Sequence, residues 1–429
     1  MRLSKWVCRI FPYLLCGLLV ACSPAPGRPA HVSITPTPRM AAGEPVLPHS
    51  QIFYQEAPLP STTDMQFSSS TWTLPGHDSL ATRAVDLPQD SLTRGAAPLW
   101  YHAFASPLLF SPVVGEQAIY QLASDGYLHV LRRTDGSEMW HMAVGGDLTA
   151  NGLALAHNLL YLALNGHFIA AVNAQTGAML WRFDTGGVVR AAPLVVGQDL
   201  LVASGPNSLW CLDALTGRLY WAFHSEDALT EFWPTLTSPA VFAGIVYTEL
   251  GASSEVNALD LRTGRKVWEA SLPERVVGGP VLDTQRDLLY LVTWSGRVVA
   301  LDIHTGATRW DIHLPTGSES SPALAEQAGL LYIGGFDQTL YALDTENGHI
   351  VWSSRLDSSV IAAPTVLLAG TDDRLVVTTQ AGSCLLLDAH SGQTLQTWQL
   401  GELRAPPVVA GSMLYQASLG KSGLFAIAL

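Results

Sequence analysis

Five aspartates recur at a steady interval, Asp213, Asp260, Asp302, Asp344 and Asp388, and two adjacent carboxylate pairs stand at Glu226/Asp227 and Asp372/Asp373. A ring of carboxylates at matched positions is one way to hold a cation. Calcium, however, needs about six to eight oxygens converging from several directions, and sequence neighbours alone do not supply that. Each of the five aspartates instead opens a short phrase that closes on Gly, as in "DLRTG" and "DIHTG". Asp and Thr side chains accept or donate hydrogen bonds within a tight turn, and Gly takes the positive-φ position that other residues resist. The constant place of these aspartates is therefore turn chemistry. His304 and His390 sit inside two such turns as solvated residues. No G-x-S-x-G, H-E-x-x-H, C-x-x-C or phosphate-binding glycine loop occurs. Cys211 and Cys384 lie in apolar runs, where cysteine packs as a small hydrophobe; a disulfide between them is the alternative in an oxidising envelope.

The elements that position these turns repeat. "ALDLRTGRKVW" (Ala258 to Trp268) returns as "ALDIHTGATRW" (Ala300 to Trp310) and "ALDTENGHIVW" (Ala342 to Trp352). Trp100, Trp140, Trp181, Trp221, Trp268, Trp310, Trp352 and Trp398 follow one another at intervals of 40 to 47 residues. Pro stands twelve residues after Trp100, Trp181, Trp268, Trp310 and Trp352. Between successive tryptophans lie short runs of β-formers joined by Gly and Asp turns, as in "SPALAE", "GLLYIGG", "TLYALD" and "GHIVW". Four short strands per period of about 42 residues describe one propeller blade. The fold class is all-β: an eight-bladed β-propeller of four-stranded antiparallel blades. The last unit ends at "GLFAIAL" without a fourth strand, while "PLWYHAF" (Pro98 to Phe104) has a Trp but no preceding three. This N-terminal strand is expected to complete the last blade, which removes the exposed edges of an open array. The tryptophans are expected to fill the gaps between blades. Departures are Arg132 and Asn173 in place of the turn Asp, and Trp398 two residues beyond its expected place, on the same strand face.

Ahead of the repeats the composition changes. Arg2, Lys5 and Arg9 precede the apolar stretch "IFPYLLCGLLVA", the pattern of a signal peptide over residues 1–21. "LVAC" resembles a bacterial lipobox, which implies lipid attachment at Cys22. Residues 22–95 are rich in Pro, Ser and Thr without a sustained period and are expected to be a flexible tether, with 96–429 forming the propeller. A formal charge of -13, with Lys only at 5, 266 and 421, disfavours nucleic acid as a partner.

The phrase A-x-D-x-x-T-G-[KR]-x-x-W, matched in full by Ala258 to Trp268, resembles the PQQ-like, or quinoprotein-type, repeat family, and the repeats cover about residues 98–429. With a lipobox ahead of eight such units, the chain resembles the BamB-type lipoproteins, which implies a non-catalytic protein–protein interaction scaffold in the cell envelope, extracytoplasmic and at the outer membrane if there is one. The runner-up is a PQQ-dependent quinoprotein dehydrogenase, and a ligand- or glycan-sensing propeller is a third reading. The resemblance implies PQQ and calcium for the dehydrogenase, but no adjacent Cys pair or long catalytic insertion is present, so no cofactor, metal or catalytic residue is assigned. What remains is surface. The stretched connection "HSEDALTEFWPTLT" (His224 to Thr237), with Phe232 and Trp233, is expected to share one face with Trp294 and Phe336, and these four are the candidate partner-binding residues.

Overall fold

The computed structural model describes residues 71–74, 76–87, 97–144, 152–164, 167–205, 207–225, 237–250, 254–370 and 372–429, together with the backbone of Gln51–Phe53. Among these there are strands and turns and no helix. Blade 1 is an antiparallel meander of Val113–Val114, Ala118–Leu122, Tyr127–Arg132 and Glu138–Ala143. Blades 2 to 7 repeat it over 153–184, 194–224, 240–271, 276–313, 323–355 and 365–399. Blade 8 takes three strands from the C-terminal end and its fourth from Pro98–Ala103, with Trp100 opposite Ala426 and Tyr101 opposite Phe425. The chain is an eight-bladed β-propeller closed by its N-terminal strand.

The burial pattern follows the strand sequences. Second and third strands such as Leu288–Thr293 and Arg297–Asp302 are covered on both faces and are apolar almost throughout. Fourth strands such as Lys266–Ser271 alternate, because one face meets the next blade and the other meets water. In blades 1 to 7 a bulge shifts the register between the third and fourth strands, for example between Ala300 and Leu301. The extra residue increases local twist and sets the Trp directly opposite the residue two before the turn Asp, as with Ala258 and Trp268. Trp398, two residues further on, pairs with Cys384 instead and is still buried.

First strands of neighbouring blades touch one another and line the central channel. Residues 71–87 correct the expectation of a tether over the whole of 22–95, because they run across these inner strands. Trp72 and Val114 exchange backbone hydrogen bonds in blade 1, and Thr73 accepts from Leu155 in blade 2. Ala84–Asp86 adds a parallel strand inside Thr365–Leu368 of blade 7. Trp72, Leu74 and Val85 are at most 2% exposed. Composition does not reveal this because most of the segment's hydrogen bonds to the blades use backbone carbonyls, which every residue carries. At the opposite edge of a blade, Gln51–Phe53 pairs with the outer strand of blade 2.

Candidate functional site

Each turn Asp folds its own hairpin. Asp302 Oδ1 accepts from the backbone N–H of His304 and Thr305 and from Thr305 Oγ1 at 2.9–3.0 Å. Hydrogen bonds from Thr263 hold the Asp260 carboxyl below its ordinary range, despite some desolvation. The turn leaves one carbonyl, that of the residue after the Asp, facing the previous blade. There it accepts from a Trp Nε1: Trp181 to Ala214, Trp221 to Leu261, Trp268 to Ile303, Trp310 to Thr345 and Trp352 to Ala389, at 2.7–3.2 Å. The indole lies over the turn Gly of that same next blade, so a Cβ on Gly306 would stand 2.6 Å from Trp268. Trp140 covers Gly177 in the same way, but its Nε1 has no hydrogen-bond partner.

At the seam Trp100 of blade 8 covers Gly136 of blade 1. Arg133 follows the position where Arg132 replaces the turn Asp. Its guanidinium donates to Tyr415 Oη at 3.0 Å and to the Ala410 carbonyl at 2.8 Å in blade 8, and to the Gly115 carbonyl at 3.1 Å in its own blade.

The residues singled out for ligand chemistry do not converge. Asp372 is exposed near Arg374, while Asp373 is buried and accepts from the Ala369 N–H. Glu226 and Asp227 lie outside the described residues. His304 is exposed beside Asp287, and His390 is exposed on another blade. Cys211 and Cys384 are free thiols buried in blades 3 and 7. Among the described residues no three His, Cys, Asp or Glu side chains are placed to hold a metal ion.

The face carrying the turns between second and third strands also carries the connections between blades. Here Trp294 is 54% exposed and meets Phe336 edge to face, with ring centroids 5.3 Å apart. The pair is fixed from below. Ser318 N–H donates to the Trp294 carbonyl, Phe336 N–H to the Gly317 carbonyl, and Ser359 Oγ to the Phe336 carbonyl. A Cβ on Gly317 would meet both the Trp294 carbonyl and the Phe336 ring, so only Gly lets the three loops close. Leu109 and Val188 are exposed on the same face, in the connections into blades 1 and 3. Phe232, Trp233 and Cys22 lie outside the described residues. Beside the stretched connection, Glu249 is 3% exposed and accepts from Thr237 Oγ1 at 2.6 Å. Burial pushes its carboxyl up to about 7, against the Thr237 hydrogen bond and the charge of Arg275.

A family model described as outer membrane protein assembly factor BamB matches residues 124–327 and 295–424. The chain belongs to this family. BamB of Nitrosomonas eutropha is 28% identical over 183 residues, 41% of this chain and 43% of that protein. Tetrathionate hydrolase of Acidithiobacillus ferrooxidans is 24% identical over 217 residues, 46% of this chain and 43% of that protein. The chain thus spans less than half the length of either relative. Among solved structures, BamB from Moraxella catarrhalis superposes with a TM-score of 0.64 at 19% identity, covering 78% of this chain and 100% of that one. A europium-containing methanol dehydrogenase superposes at 0.69 with 15% identity, covering 84% and 98%. At such identities both structures speak for the shared fold alone.

The aligned repeats of this BamB-family chain also contain a second docking series, which the tryptophan spacing does not reveal. Tyr247 and Tyr332 donate through their hydroxyls to the carbonyls of Ile303 and Ala389, the same atoms that accept from Trp268 and Trp352, while the Tyr290 hydroxyl lies 3.2 Å from the Thr345 carbonyl that accepts from Trp310 and 3.0 Å from the Asp283 carboxylate. Tyr120 takes the Ala174 carbonyl that Trp140 leaves unused, and the Tyr161 hydroxyl has no partner. A Tyr ten or eleven residues before the repeated Ala of the turn phrase was the available signal.

Proposed function

We propose that this BamB-family propeller is a non-catalytic scaffold of the cell envelope that works in the assembly of outer-membrane proteins, held to the membrane by lipid at Cys22. The observation that carries the reading is the family match across residues 124–424, joined to an exposed Trp294 packed on a half-buried Phe336 on the face where the blade connections emerge. Aromatic side chains dominate the energetics of protein interfaces, and a preformed pair loses little conformational entropy on binding. Phe232 and Trp233, in the stretched connection, are further candidates by sequence. The test is crosslinking in the native host followed by identification of captured proteins. We expect envelope proteins that handle outer-membrane barrels to be recovered, and Trp294→Ala with Phe336→Ala to weaken capture at least about tenfold. Equal capture by the double variant would remove this face from the binding surface.

A quinoprotein-type enzyme is the second reading, with the tetrathionate hydrolase likeness in its favour. That reading expects quinone absorbance and calcium-dependent dye reduction in the purified full chain. The scaffold reading expects neither.

A further inference from the structure

Inner strands of a propeller are edge strands, and their channel-facing N–H groups need partners. In four successive blades those partners come from one turn of residues 71–87. The carbonyls of Ser79, Leu80, Thr82 and Arg83 accept in order from the N–H groups of Val241, Leu282, Leu324 and Val366, at 2.7–3.1 Å, in blades 4, 5, 6 and 7. The turn is folded by its own carboxylate. Asp78 Oδ1 accepts from the N–H groups of Leu80 and Thr82 at 3.0 Å, and Oδ2 accepts from Thr82 Oγ1. Burial pushes the Asp78 carboxyl up, opposed first by the two Thr82 hydrogen bonds, then by His77 and the Leu80 N–H. Apolar anchors flank the turn. Trp72 lies against blade 1, with the Arg83 guanidinium 5.8 Å from its ring centroid, and Val85 against blade 7.

Two features make this segment separable from the ring. Closure of blade 8 uses Pro98–Ala103, which lies beyond it in sequence. Its hydrogen bonds to the inner strands run between backbones, the mode by which an extended peptide binds a sheet edge, and the buried side chains of Trp72, Leu74, Val85 and Leu87 add apolar anchorage. The attachment points lie near the far ends of the first strands: Val114, Leu282 and Leu368 are the last or next-to-last residues of theirs. We propose that residues 71–87 are a built-in ligand of the channel, a peptide bound to the inner strand edges and shaped by the Asp78 turn, which seals the end nearest the turns between first and second strands. The channel is then a blind cup, and anything entering it does so from the face that carries Trp294 and Phe336. This inference is independent of the scaffold reading.

The test uses the full chain, folded and then nicked at protease sites introduced within residues 54–70 and 88–96. We expect the released 71–87 segment to co-elute with the propeller on gel filtration. An excess of isotopically labelled synthetic peptide 71–87 should replace it under native conditions, read by native mass spectrometry. In the same nicked chain carrying Asp78→Ala, replacement should be at least about tenfold faster, because a hydrogen-bonded carboxylate is lost. Hydrogen exchange at Val241, Leu282, Leu324 and Val366 should rise only while the site is empty. Immediate loss of the segment with unchanged exchange at those four amides would overturn the proposal. So would a segment released only on global unfolding, or equal replacement rates with and without Asp78.

Discussion

Trp310 and Trp140 stand at equivalent places in blades 5 and 1 and differ in one bond. Trp310 Nε1 donates to the Thr345 carbonyl at 2.9 Å, whereas Trp140 Nε1 has no partner. Replacement by Phe keeps an aromatic ring and removes the donor. We expect Trp310→Phe to cost about 1 kcal/mol more than Trp140→Phe in urea unfolding, the net worth of a neutral hydrogen bond. Equal costs would mean that the indole acts through packing alone. Glu249 carries a pH dependence at the same scale. Its carboxyl titrates near 4.5 before folding and near 7 once buried. The folded state therefore holds an extra proton between these values, and stability is full below about 4.5 and lost as pH rises through 7. Glu249→Gln should stabilise the protein at pH 8 by up to about 3 kcal/mol, at 1.36 kcal/mol for each unit of difference. The gain should vanish in melting experiments near pH 4.

The third-to-fourth-strand hairpin does two jobs with one glycine. Gly306 has φ +71°, which completes the turn, and its missing side chain leaves the space that Trp268 fills. Gly126, in a second-to-third-strand turn, has φ +87° but nothing within 4 Å of where a Cβ would be. Gly126→Ala should therefore cost about 1–2 kcal/mol, from backbone strain alone. Gly306→Ala should cost clearly more, because the Trp268 indole must also move. Urea midpoints of the two variants separate strain from docking. The Asp, Thr and Gly of this hairpin were legible in the sequence because they act within five residues. The bulge that aligns the Trp was not, since it depends on how two strands pair rather than on either strand's composition.

For the whole molecule the seam between blades 8 and 1 is decisive, because it joins segments from opposite ends of the propeller sequence. Arg133 donates across it to Tyr415 Oη and the Ala410 carbonyl, and within its own blade to the Gly115 carbonyl. Arg133→Ala should cost about 2–3 kcal/mol, in the range for charge-assisted bonds. Hydrogen exchange should rise first at 98–103 and 423–428, while the other seven blades keep their protection. A uniform rise would show that the seam is no weaker than any other blade boundary. The candidate surface is also a property of the whole ring. Trp294 and Phe336 are 42 residues apart in sequence, and only adjacent blades bring their rings to 5.3 Å.

The sequence by itself determined the number of blades, the turn chemistry and the strand that closes the ring. Each of these is written in short-range patterns that repeat, and repetition makes a weak local signal readable. Tertiary structure alone decided which carbonyl each Trp and Tyr shares, how Arg133 staples the seam, and that residues 71–87 occupy the channel. Those contacts rest on backbone N–H and C=O groups, which are alike in nearly every residue and become specific only when the folded ring sets one chain segment against another.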